Sequence, residues 1–169
     1  MNLPWKRKPS SLSPYLRDSN RLGDVIAAIQ TMATYKFYKL SFAEWADRIS
    51  ADVAQADKWE KVFLEHPEFF RLDTAREYAS LVWRRQFPKR YDVNAESVLT
   101  RETFYALPDE QKSRISRIPL PSSDIKVLIE TAINLHSRAL EEQKDKRWWV
   151  AIAGAAGGLV GAVVGAFLK

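Results

Sequence analysis

The sequence predicts a mainly α chain with a small β-hairpin, its long C-terminal helix continuing into one transmembrane helix. Three observations lead there. Apolar residues recur at three- and four-residue spacing through residues 22–63 and again at Ile125, Leu128, Ala132, Leu135 and Ala139, the period of amphipathic helices. The period shortens to two within residues 69–85, as in paired strands. Residues 148–168, WWVAIAGAAGGLVGAVVGAFL, then carry no charge. A run of about 20 apolar residues at ~1.5 Å each crosses a hydrocarbon core of roughly 30 Å.

In order, residues 1–18 read as a mobile basic arm. Pro4, Pro9 and Pro14 among Ser10, Ser11 and Ser13 block a helix, and only Trp5 and Tyr15 offer much to bury. A helix is expected from about Asn20 to Tyr38, with Leu22, Val25, Ile26, Ile29, Met32 and Ala33 on one face. Ser41-Phe42-Ala43-Glu44 has capping-box form and opens a second helix with Phe42, Trp45, Ala46 and Ile49 inward. A third follows Ser50 or Asp52, with Val53, Ala56, Trp59, Val62 and Phe63 as its buried face. It stops at His66-Pro67, since the residue before proline leaves the helical region. Residues 69–72 read as a strand and residues 77–85 as its partner, with Ala79, Leu81 and Trp83 on one face.

Three helices followed by a two-stranded hairpin, with the junction HPEFFRLDTAREYASLVWRRQ, resemble the third-helix-to-wing passage of winged helix-turn-helix domains. The resemblance covers about residues 19–90 and implies a winged-helix-like body. Residues 91–121 read as a mixed helical connector, with Thr100 capping a short helix and Pro108-Asp109-Glu110 starting another. Residues 122–147 read as an amphipathic stalk helix. Its apolar seam is free either to lie on the body or to pair with another copy.

Residues 148–168 hold five of the six glycines in the chain. Gly154, Gly158, Gly161 and Gly165 fall in one stripe of a helix, the small-residue face along which membrane helices associate. Lys144, Lys146, Arg147, Trp148 and Trp149 stand as interface anchors. Their cationic excess over Lys169 places the body on the cytoplasmic side of an inner membrane. The expected partners are membrane lipid, further copies through the tail, and an unidentified cytoplasmic protein. The form of the whole chain also resembles small uncharacterised bacterial membrane proteins, a likeness that implies no activity.

Composition argues against catalysis. There is no cysteine, and Gly23 is the sole glycine before the tail, so no glycine-rich phosphate loop exists. His66 and His136 are read as structural, and no cofactor or metal is expected. The net charge of +5 concentrates locally, at Lys6, Arg7 and Lys8 and in a basic patch of Arg84, Arg85, Lys89 and Arg90. The third helix instead offers Asp52, Asp57, Glu60 and Glu65 against Lys58 and Lys61, a poor surface for a polyanion. Nucleic acid is therefore not the expected partner. The reading is a membrane-anchored, non-enzymatic protein-interaction module. Its alternatives are a membrane-perturbing effector whose tail oligomerises, and a membrane-anchored DNA-binding regulator.

Overall fold

The computed structural model describes residues 12–167, with side chains described for residues 12–145. Helix α1 (Arg21–Thr34) buries Val25, Ala28, Ile29, Met32 and Ala33, and ends where Tyr35 turns extended. Strand β1 (Lys39–Ser41) leads directly into α2 (Phe42–Ser50). Ser41 makes that junction, because its hydroxyl accepts from Glu44 N–H while the Glu44 carboxylate accepts from Ser41 N–H, at 2.8 Å. Helix α3 (Ala56–Glu65) buries Trp59, Val62 and Phe63. Strands β2 (Phe70–Leu72) and β3 (Tyr78–Leu81) follow, and the sheet order is β1-β3-β2, all antiparallel. Phe63 packs 5.0 Å from Phe70 between ring centres. The buried Trp45 indole donates to Ala79 O at 3.0 Å, fixing α2 on the central strand.

A second three-stranded antiparallel sheet has order β5-β4-β6, from β4 (Tyr91–Asp92), β5 (Ser97–Val98) and β6 (Ile115–Ser116). Asp92 shapes it: its carboxylate accepts from Asn94 N–H, Ala95 N–H and the Arg114 guanidinium. Short helices α4 (Arg101–Ala106) and α5 (Asp109–Lys112) lie between β5 and β6. The last helix, α6 (Ser122–Phe167), packs on α1 and on residues 14–16, burying Leu128, Ala132 and Ala139. Its seam thus lies on the body, which settles the choice the sequence left open.

The predicted fold class is corrected in two respects. The single hairpin is replaced by two three-stranded sheets, because β1 adds to the hairpin and residues 91–121 contribute a sheet of their own. Strands of two or three residues leave no period to read, which is why both escaped the sequence. The second strand of the hairpin also stops at Leu81, and Trp83–Gln86 forms a 3-10 turn, so Arg84 swings inward. The transmembrane helix is the other correction. Among the described residues no helix is long and apolar enough to cross a membrane. Up to Asp145, α6 carries exposed Lys126, Glu130, Arg138, Glu141, Glu142 and Lys144 around the stripe it lays on α1, the pattern of a helix between protein and water. The single-pass inner-membrane assignment therefore finds no supporting span among the described residues. The glycine stripe, together with Lys146, Arg147, Trp148 and Trp149, lies outside the residues whose side chains are described.

The last turn of the arm docks on the body through Tyr15, one of the two residues the sequence offered for burial. Pro14–Leu16 forms a 3-10 turn that buries Tyr15 against the body. Residues 1–11, Trp5 included, lie outside the described residues.

Candidate interaction site

The four arginines and lysines read as one basic patch separate in the structure. Arg84 has no exposure at all. Its guanidinium donates to the carbonyls of Met32 (2.9 Å), Tyr35 (2.6 Å), Ile118 (3.2 Å) and Arg117. The first two belong to the C-terminal end of α1, where backbone carbonyls lack helical partners and the helix dipole favours a cation. Burial pushes the guanidinium down to about 10, with Tyr91 opposing that fall and Arg117 adding to it, so the group stays charged at neutral pH. Arg117 reaches back to the carbonyls of Arg85 and Phe87 and lies over the Tyr38 ring. The two arginines therefore stitch residues 84–87 to residues 117–118 and seat the second sheet against α1.

Lys89 and Arg85 are exposed, and Arg90 is half-buried. Leu99 N–H donates to Arg90 O at 2.8 Å, which brings residues 88–90 beside the start of α4. Thr100 caps that helix by accepting from Thr103 N–H at 3.2 Å. A cleft of about 400 Å³ results, lined by Pro88, Lys89, Arg90, Arg101, Phe104 and Tyr105. Tyr105 is 67% exposed. Its ring lies 5.5 Å from that of Phe104 in an edge-to-face arrangement, and the Arg101 guanidinium sits 5.8 Å above it. Among the described residues, no carboxylate is ion-paired with Lys89, Arg90 or Arg101. Sequence reasoning found Lys89 and Arg90 from their run of charge. It missed Arg101, Phe104 and Tyr105, which the Leu99–Arg90 pairing brings in from a separate helix. The proximity of an arginine to a Phe-Tyr pair was the only available signal.

The outward face of α3 is different. Lys58 is held by Asp24 at 2.7 Å, and Glu65 is held by Arg17 at 2.7 Å and Arg21 at 3.1 Å. Asp52 is spent capping Ala54 N–H. The charges that face solvent unpaired are those of Asp57, Glu60 and Lys61, which sum to one net negative charge.

The two histidines converge on Tyr15, whose ring centre is 4.4 Å from that of His66 and 6.0 Å from that of His136. His66 is fully buried, with Nδ1 3.0 Å from Glu68 Oε1; the Tyr15 hydroxyl donates to the same oxygen at 3.3 Å. Burial alone raises the Glu68 carboxyl, but the bonds from His66, its own N–H and Tyr15 outweigh it and hold the group below the usual range. His66 Nε2 has no partner and no access to solvent. The cluster joins the Tyr15 turn, the α3–β2 junction and α6. Among the described residues no cluster of side chains has the makings of a metal site. Neither a family model, nor a curated protein, nor a solved structure matches the chain.

Proposed function

We propose that the chain is a non-enzymatic protein-interaction module built on a winged-helix-like arrangement of residues 19–90. The strand order β1-β3-β2, with α2 and α3 inserted between β1 and β2, supports the winged-helix part of this reading. The observation that carries the functional part is the distribution of charge and aromatic surface. The helix that would enter a major groove in a DNA-binding winged helix has no cationic excess on its outward face. Lys89, Arg90, Arg101 and an exposed tyrosine are gathered instead between residues 88–90 and α4. Arginine and tyrosine are the residues in which protein interfaces concentrate their binding energy. Sequence-specific readout of a duplex needs a helix that tolerates phosphates on both flanks, and α3 does not meet that need.

The test is retention of duplex DNA by the full chain. Binding is expected to be weak, equal for unrelated sequences and lost as salt rises. Retention of one sequence over others at physiological salt overturns the reading and makes the chain a DNA-binding regulator.

A further inference from the structure

We infer that the cleft between residues 88–90 and α4 is the docking point for a short acidic peptide segment of a partner protein. This inference rests on the interaction-module reading and names its partner by chemistry. The lining holds three cations, two aromatic rings and a proline, and no carboxylate. Like charges gathered in one cleft repel, and a bound anion converts that repulsion into attraction. Arg101 is oriented by the Tyr105 face below it. A guanidinium resting near an aromatic ring presents its paired N–H groups to a carboxylate with less entropy left to lose. Tyr105 and Phe104 give an apolar side chain on the same segment a surface to cover.

The surroundings separate a short peptide from a long polyanion. Glu102 stands next to Arg101, and its carboxyl is held below the usual range by its own backbone N–H and Thr100, with the Arg90 charge contributing. Asp109 and Glu110 open the following helix. A long chain of phosphates has more charge to place beside these carboxylates than a short segment with a few acids around an apolar residue.

The experiment uses the full chain and fluorescence anisotropy of a labelled Glu-Glu-Leu-Glu-Glu-Tyr peptide. Its uncharged counterpart is Gln-Gln-Leu-Gln-Gln-Tyr, and a thymidine hexanucleotide serves as competitor. The acidic peptide is expected to bind, and its affinity to fall with salt. Arg101→Gln is expected to weaken it about tenfold, the equivalent of one charged hydrogen bond, and Tyr105→Ala to weaken it several-fold. Both side chains are exposed, and an unchanged thermal midpoint confirms that the variants fold. Lys61→Gln, on α3, serves as the control and is expected to leave affinity unchanged. Equal binding of the glutamine peptide, or full binding by Arg101→Gln, overturns the inference while leaving an interaction module with its site elsewhere. Displacement by the hexanucleotide at lower concentration than by unlabelled peptide replaces the peptide with single-stranded nucleic acid, and the interaction-module reading falls with it.

Discussion

Arg84 shows how far one residue departs from its charge. As one of four cations in a short stretch it reads as surface, yet its guanidinium is the most extensively bonded side chain in the second half of the body, with four backbone carbonyls as partners. The turn at residues 83–86 explains this. Had β3 continued past Leu81 in extended form, Arg84 would have stood on the solvent face with Val82. Because the Arg84 fork spans carbonyls from two segments, the end of α1 and residues 117–118, a lysine cannot replace it. Arg84→Lys keeps the charge but leaves buried carbonyls unpaired, and is expected to cost about 2–4 kcal/mol in urea unfolding. Arg85→Lys, on the exposed neighbour, should stay within about 0.5 kcal/mol. Equal midpoints for the two variants would remove the clamp from this account.

The elements differ in how plainly the sequence declared them. Helix α2 was legible to the residue, because Ser41 and Glu44 have the chemistry of a reciprocal cap and the structure uses both. The end of α3 was legible because His66-Pro67 permits little else. The sheets were not, since β1, β4, β5 and β6 are too short to show alternation, and their pairing is set by distant groups such as Asp92 with Arg114 and Tyr38 N–H with Ser116 Oγ at 3.1 Å. The α6 seam was legible as a seam, but its occupant was not, because apolar spacing does not say which chain covers it. With α1 as the occupant, Leu128 is 5% exposed and its neighbour Val127 46% exposed. Leu128→Ala is therefore expected to cost about 2–4 kcal/mol, and Val127→Ala less than about 0.5 kcal/mol. Thermal or urea midpoints decide the matter, and a larger loss at Val127 would mean that α6 lies on the body by another face.

At the scale of the whole molecule, the body divides its surface by charge. The half built from residues 19–90 turns outward an α3 whose Lys58 and Glu65 are ion-paired and whose Asp57, Glu60 and Lys61 give no cationic excess. Residues 88–90 and α4 present Lys89, Arg90 and Arg101 around Tyr105, none of them in an ion pair among the described residues. Half of that site, Lys89 and Arg90, was visible as a run of basic residues. The other half depended on one backbone bond, from Leu99 N–H to Arg90 O, and no pattern in the sequence encodes such a pairing. The central claim is that partners meet the protein at this cleft and not along α3. Backbone amide NMR of the labelled full chain, titrated with the acidic peptide, tests it most directly. Chemical-shift changes are expected at residues 89–90 and 101–105, with residues 56–65 and 70–81 unmoved. Changes concentrated in α3 and in the β2–β3 hairpin, with the cleft silent, would contradict it.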